Sequence, residues 1–366
     1  MRPPVELGEA PAQLLLDGAL GLALATGVPL RLVGPLSGAD AALVMAAVRL
    51  GEDVTPQAVD AARELLARDG PIELSLSHAR AGLHMLELRE PGAVARALWT
   101  LSWPLALLGR PSELRLNGPN HCEGWPTFHE LRLAWVPVAA QLGLRVQLDL
   151  AEAGFDGDQG VMVAQLDPAP ALTPLHLVHR GLLRQVTVVV ATAGGNSDEA
   201  VAAAEQAART LRQHGIIAEA ERVPLPLPMG AQGRGRWALT ALAEFERSIV
   251  SSSALGPGGG VPAVLHATPG TSLAGERVAE KIGRFLARRA ALDARTAERL
   301  LLPSILCAAG LGARAGPPPT CHYTTSEVTE GMVSLATLAR RMLPVRAVVD
   351  GPLGEEGVVV VAPSAP

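Results

Sequence analysis

The chain has very little lysine, few cysteines and no long apolar run. Lys281 is the single lysine among 31 lysines and arginines, and no Gly-Lys-Ser/Thr phosphate-binding loop exists. Cys122, Cys307 and Cys321 form no Cys-x-x-Cys pair and no metal-ligand spacing, which fits a reducing compartment. No apolar stretch approaches the roughly 20 residues that cross a bilayer. These absences argue against a P-loop enzyme, a disulfide scaffold and a membrane protein.

A broad basic charge is also absent. The formal net charge is −5 and the sequence pI is about 6.0, so a protein that tracks many phosphates is not indicated. A protein that grips only a strand end would need no more than a local basic cluster. The beginning of the chain carries Glu6 and Glu9 and lacks the basic and apolar regions of a secretory signal. We therefore expect a cytoplasmic protein.

A helix followed by a strand recurs three times. The strand patterns at 27–35, 110–119 and 343–352 all end in Gly-Pro, and each follows an apolar helical pattern. The interval before the third copy is much the longest. This spacing indicates three equivalent units, with extra sequence before the third.

Each unit reads as helix, strand, helix, strand, strand, which predicts helices layered on sheets. We expect an α+β fold in which 1–174 and 276–366 form the host domain, built from three repeated α/β units. Residues 175–275 are predicted to form a smaller inserted α+β domain, with a helix over 197–214 and several strands.

The segment 319–326 reads Pro-Thr-Cys-His-Tyr-Thr-Thr-Ser and lies between helical patterns at 298–310 and 328–343. We expect it to be a loop that holds His322 rigidly while leaving it accessible. A neutral imidazole is a nucleophile at neutral pH, so such a histidine suits covalent catalysis. A packed or capping histidine is the alternative.

These features together resemble the RNA 3′-terminal phosphate cyclases over nearly the whole chain. His322 and Thr325 match the family's His-x-x-Thr-Asn pattern, in which the histidine becomes adenylylated, and Ser326 replaces the asparagine. The segment 298–303 is similar to the family's Asp-Gln/His-Leu-Leu-x-Pro helix. The segment 117–126 is similar to its Gly-Gly-Thr-x-x-x-x-x-Pro loop.

The resemblance is weaker towards the beginning of the chain. The family's Gly-Glu-Gly-Gly-Gly-Gln is reduced to 8–13, which keeps Glu9 and Gln13, and the arginine expected three positions later is Leu16. The arginine-rich second motif falls around 34–44, which has no basic residue. Arg295 stands where the family has an aromatic that sandwiches adenine, and its guanidinium could still stack.

The resemblance implies an ATP-dependent enzyme that converts an RNA 3′-phosphate into a 2′,3′-cyclic phosphate through a histidine–AMP intermediate. The implied cofactors are ATP and a divalent metal, Mg or Mn. The implied partner is an RNA 3′ end, with no evidence for DNA and no membrane. The implied site residues are His322 as catalytic residue, Glu9, Gln13, Pro126, Arg295, Glu298 and Thr325 as nucleotide contacts, and Glu9 also as metal contact.

Alternatives remain open. A catalytically degenerate relative would keep the fold as an RNA-binding or assembly module, and the missing arginines favour it. A transferase of the enolpyruvyl-transferase fold group shares the repeat architecture but has no matching motif. A ligand contact by His121 is a further open alternative, whereas His129 is expected on the helix over 127–142.

Overall fold

The structure is a computed structural model. It describes residues 4–7, 13–51, 54–66, 71–194, 197–228, 235–256, 269–311 and 319–364. Helices and four small sheets alternate within these residues, which confirms the α+β class. No helix of the described residues is long and apolar enough to cross a membrane.

The first unit is a three-stranded sheet with helices packed on it. In chain order its elements are β1 (Val5–Leu7), α1 (Gln13–Thr26), β2 (Leu30–Leu32), α2 (Gly38–Leu50), α3 (Pro56–Leu66) and β3 (Ile72–Leu74). β1 and β2 run parallel with α1 as their crossover, and β3 pairs antiparallel with β2. Most of α1 is buried, which accounts for its nearly uniform apolar sequence.

The second unit repeats this plan with a fourth strand. Its elements are β4 (Leu83–Glu87), α4 (Ala93–Ala106), β5 (Ser112–Gly118), α5 (Phe128–Glu130), a π-helical segment (Leu131–Trp135), α6 (Val136–Gln141), β6 (Val146–Glu152) and β7 (Gly160–Leu166). The sheet order is β4-β5-β7-β6, and β4 and β5 run parallel across α4. The predicted helix over 127–142 is therefore present, with a π-helical turn inside it.

The third unit is interrupted after its first strand. In chain order the elements are β8 (His176–Leu177), then β9 (Leu183–Thr192), α7 (Asp198–Gln213), β10 (Glu219–Pro224), β11 (Trp237–Phe245), β12 (Ile249–Leu255) and α8 (Pro269–Leu286), and then α9 (Ala294–Ala308), β13 (Cys321–Thr325), α10 (Glu330–Met342), β14 (Val345–Asp350) and β15 (Gly357–Pro363). The order β14-β15-β13-β8 reproduces that of the second sheet, with β8 parallel to β13.

This equivalence corrects the third sequence repeat. α9 and β13 occupy the places of α4 and β5, whereas the repeat pattern had matched α10 and β14 to those elements. Both pairs combine an apolar helix with a short strand, so local pattern alone does not separate them. The insertion point lies between the first strand and the crossover helix of this unit.

The inserted elements have a hydrophobic core of their own. Helices α7 and α8 pack on the sheet β10-β9-β11-β12, and this core runs from Val186 to Phe285. α7 begins at the cap Ser197, and its small buried residues recur at helical spacing from Ala200 to Leu211. The bounds 1–174, 175–275 and 276–366 stay a prediction, and α8 packs with the inserted sheet.

The insert is joined to the host at a narrow neck and along one face of its sheet. At the neck, Arg180 donates hydrogen bonds to the carbonyl oxygens of Phe285, Leu286 and Ala290. On the sheet, the hydroxyls of Thr127 and Thr240 are 2.8 Å apart. The bonds of Arg180 tie the two ends of the insert together, and the threonine pair holds its sheet against the host.

Candidate active site

A cleft of about 540 Å³ opens between α8 and the host. Its volume lies in the range of roughly 300–1,000 Å³ that is typical of small-molecule sites. One wall is α8 with the turn that follows it. The other wall is built from α9, the turn after β13 and the loop before α5. The polar and aromatic side chains that line the cleft include Gln13, Trp99, Trp125, Lys281, Arg284, Arg288, Asp293, Arg295, Glu298, Arg299, Ser326, Glu327 and Thr329.

The start of α9 supplies three charged side chains to one wall of the cleft. The Asp293 carboxylate caps the helix by accepting from the Thr296 N–H, so the first turn is fixed. Arg295, Glu298 and Arg299 then follow at spacings of three and one, which places them on one side of the helix. Arg295 donates to the Gly124 carbonyl at 3.1 Å.

Two of these side chains are also held by the host. Arg295 lies 3.5 Å from the buried Glu130 carboxylate, which accepts hydrogen bonds from Ser251 and Ser253 of β12. Glu298 accepts a 2.6 Å hydrogen bond from the Thr329 hydroxyl at the cap of α10. The side chains of α9 are therefore held in place by α5, which is bonded to β12, and by the cap of α10.

The cleft floor, formed by Arg299 and Trp99, rests on an internal ion network that sequence reasoning missed. Asp17 accepts hydrogen bonds from Arg96 at 2.7 and 2.9 Å and from Arg299 at 2.7 Å. Arg96 also pairs with Asp40 at 2.7 Å. Arg299 stacks over Trp99, with its guanidinium carbon 4.0 Å from the ring centroid. The two cations and two anions balance, so this floor offers little free positive charge.

Burial and pairing act in opposite directions on these guanidiniums. Burial lowers the pKa of Arg299, and the carboxylates of Asp17 and Glu298 oppose that shift without cancelling it. For Arg96 burial also lowers the pKa, but Asp17 and Asp40 together raise it above its ordinary value. A lone charge inside an otherwise apolar helix, as at positions 17 and 96, is the sequence signal that would have indicated such a pair.

Comparison with known proteins identifies the family of the chain. The family model described as RNA 3′-terminal phosphate cyclase matches residues 42–349, most of the chain. The chain belongs to this family.

Curated relatives carry the same name. The RNA 3′-terminal phosphate cyclase of Methylococcus capsulatus is 31% identical over 248 residues, covering 66% of this chain and 62% of that protein. That of Salmonella agona is 26% identical over 347 residues, covering 92% and 90%. That of Ralstonia nicotianae is 28% identical over 331 residues, covering 87% of each chain. These identities are modest, and they extend across both host and insert.

The site residues inferred from the cyclase resemblance do not all meet. Gln13, Arg295 and Glu298 line the cleft together. Thr325 is fully buried, and its hydroxyl donates to the Glu327 carbonyl, so it shapes the turn that brings Ser326 to the cleft. Their roles as nucleotide contacts stay predictions.

Two further residues of that set lie elsewhere. Pro126 is buried behind the wall formed by its neighbour Trp125. Glu9 lies outside the described residues. The proposed metal contact therefore stays a prediction, and no group of three His, Cys, Asp or Glu side chains that could hold a metal occurs in the described part of the chain.

His322 lies on a strand, so the prediction of a loop at this point is wrong. Its backbone N–H donates to the Leu175 carbonyl at 2.7 Å, and it pairs with His176 on β8 and Val360 on β15. The sequence pattern missed this because five mixed residues form a strand only through partners far away in the chain. The ring is half-buried and does not line the cleft.

Ordinary strand geometry separates His322 from the cleft. The Cα atoms of His322 and the cleft residue Ser326 are roughly 13 Å apart along an extended chain. Between them, the Thr324 hydroxyl donates to the Val178 carbonyl and accepts from the Ala291 N–H.

The structure argues against a ligand contact by His121. The ring is completely buried, stacked on Phe155 with centroids 5.0 Å apart, and its Nδ1 lies 2.8 Å from the Asn120 side-chain oxygen. Burial first, and then the charge of His129, lower the pKa of His121 to about 3. Burial and Arg132 lower the pKa of His129 to about 4. Both rings are therefore neutral core groups at pH 7.

Proposed function

We propose that the chain is an ATP-dependent RNA 3′-terminal phosphate cyclase. The observation that carries this proposal is the family match over 42–349, which spans the cleft residues of α9 and the strand of His322. The cleft supports it, because Gln13, Arg295 and Glu298 line one cavity of nucleotide size.

The proposed reaction has three displacements. A ring nitrogen of His322 attacks the α-phosphorus of ATP, and pyrophosphate leaves. The RNA 3′-phosphate then attacks the phosphorus of the histidine–AMP, and the imidazole leaves. The vicinal 2′-hydroxyl finally attacks the RNA phosphorus, loses its proton and releases AMP, which closes the 2′,3′-cyclic phosphate.

The cleft side chains suit the nucleotide in this scheme. Arg295 offers a guanidinium plane for the adenine and Glu298 an acceptor for its amino group, while Gln13 offers an amide to the phosphates. A Mg or Mn ion would enter with ATP and contact Glu9.

Protein labelling tests the proposal. Incubation with α-labelled ATP should leave an acid-labile label on the wild-type protein, and His322→Ala should abolish it. His176→Ala is the matched control, because His176 pairs with His322 on the adjacent strand and is exposed. An unlabelled wild type would contradict the cyclase reaction, and a labelled His322→Ala would contradict the choice of nucleophile.

A catalytically degenerate relative that binds RNA is the second candidate. Two observations favour it: the ring of His322 does not line the cleft, and Asp17 neutralises Arg299 at the cleft floor. This candidate predicts RNA binding without protein labelling and without AMP release. The two candidates are therefore separated by the same labelling experiment.

A further inference from the structure

Three basic side chains lie along the α8 wall of the cleft. Lys281, Arg284 and Arg288 follow one another at spacings of three and four, so they project from one side of the helix and of the turn that continues it. The helical rise separates the first from the last by roughly 10 Å along the axis. We call these three residues the basic stripe.

The basic stripe is unpaired, unlike the other cations of the cleft. All three side chains are exposed, and none has an ion pair or a side-chain hydrogen bond within the described residues. Arg295 and Arg299, by contrast, are engaged by Glu130 and Asp17. The free positive charge of the cleft is therefore concentrated on the α8 wall.

The opposite wall carries the acidic groups. Asp293 is occupied as the cap of α9, Glu298 accepts from Thr329, and Glu327 is exposed. A ligand that crosses the cleft thus meets unpaired cations on the α8 side only, because Arg295 and Arg299 on the other wall are paired. A chain of net charge −5 gives no general attraction to a polyanion, so this local cluster would have to supply it.

We propose that the basic stripe binds successive phosphates of the RNA strand that leads to the 3′ end. This proposal rests on the proposed function and names the element that holds its substrate. Three exposed cations spread along a helix match a row of backbone phosphates. A nucleotide on Gln13, Arg295 and Glu298 lies instead against the wall built by the host.

Salt-dependent RNA binding tests the basic stripe. The probe is a fluorescent single-stranded oligoribonucleotide of about ten residues with a 3′-phosphate, titrated by anisotropy between about 50 and 200 mM salt. Each phosphate contact on a single strand contributes about −0.7 to the slope of log K against log salt concentration. Loss of three contacts should therefore make this slope less negative by about 2 in the K281Q/R284Q/R288Q variant. At low salt its affinity should fall at least about tenfold.

The matched control removes the same charge elsewhere. R89Q/R212Q/R341Q replaces three exposed arginines that do not line the cleft, and it should bind RNA within about twofold of wild type. Equal losses in the two variants, or no loss in the first, would overturn the proposal, as would a wild type that binds no RNA. ATP is titrated separately, and an equal fall in ATP affinity would overturn the assignment to RNA.

Failure of the proposed function can be recognised independently. If the wild type takes no label from ATP, but K281Q/R284Q/R288Q loses the salt-dependent RNA binding that the wild type shows, the cyclase reaction is refuted and the basic stripe is established. A wild type that takes the label, but whose RNA affinity is the same in K281Q/R284Q/R288Q, would support the reaction and refute the basic stripe.

Discussion

Asp17 should be among the most sensitive positions of the core. Its side chain is 4% exposed and accepts three charge-assisted hydrogen bonds, two from Arg96 and one from Arg299. Asp17→Asn keeps the shape, removes the charge and turns an N–H₂ donor towards a guanidinium. Arg96 keeps Asp40, whereas Arg299 loses its only ion pair among the described residues. Removing one partner of a buried pair costs about 3–5 kcal/mol, and we expect a loss in that range.

Urea unfolding followed by circular dichroism measures this loss. Glu6→Gln is the control, because the Glu6–Arg31 pair is about half exposed on both sides and is expected to contribute less than about 1 kcal/mol. The double variant Asp17→Asn/Arg299→Gln should lose less than the sum of the two single variants, since the partner left unpaired is gone. An Asp17→Asn loss no larger than that of Glu6→Gln would refute the reasoning.

Two further perturbations test the core. Because the folded-state pKa values of His121 and His129 are lowered to about 3 and about 4, the unfolded chain binds these protons first. Stability is then complete above about pH 6.5 and falls towards pH 4, by up to about 1.4 kcal/mol per pH unit for each histidine. His121→Gln should reduce the slope of the free energy of unfolding against pH between about pH 7.5 and about pH 5. An unchanged slope would contradict this. Separately, Gly118→Ala should cost more than about 2 kcal/mol, because its Cβ would lie 1.9 Å from the Leu88 carbonyl oxygen. Gly283→Ala on α8, whose Cβ would meet only the His214 ring at 3.3 Å, should be neutral or stabilising in the same urea unfolding measurement. Equal losses in the two variants would argue against a backbone clash at Gly118.

The sequence pattern predicted those helices and strands that are determined by neighbouring residues in the chain. The amphipathic α7 is found within a residue of the predicted 197–214. The strand of His322 was missed, because its pairing partners are His176 and Val360 rather than sequence neighbours. Registers of this kind are set by tertiary contacts, which a local window does not contain.

The site was predictable only where its residues share one helix. Arg295 and Glu298 meet because a spacing of three brings them to one side of α9, and Gln13 joins them through packing. Lys281 lies on an exposed face of α8. Periodicity does identify that face, but it does not tell which exposed face fronts a cleft.

The neck at Arg180 has a consequence for how the chain folds. β8 pairs with β13 across the whole insert, and the Thr324 hydroxyl donates to the Val178 carbonyl over a separation of 146 residues. Closing so long a loop is slow while it remains a flexible coil. Once the insert has formed its own core, Arg180 holds its two ends together, and the effective contact order of the third sheet drops sharply. Folding of the insert before that sheet is therefore the faster order of assembly.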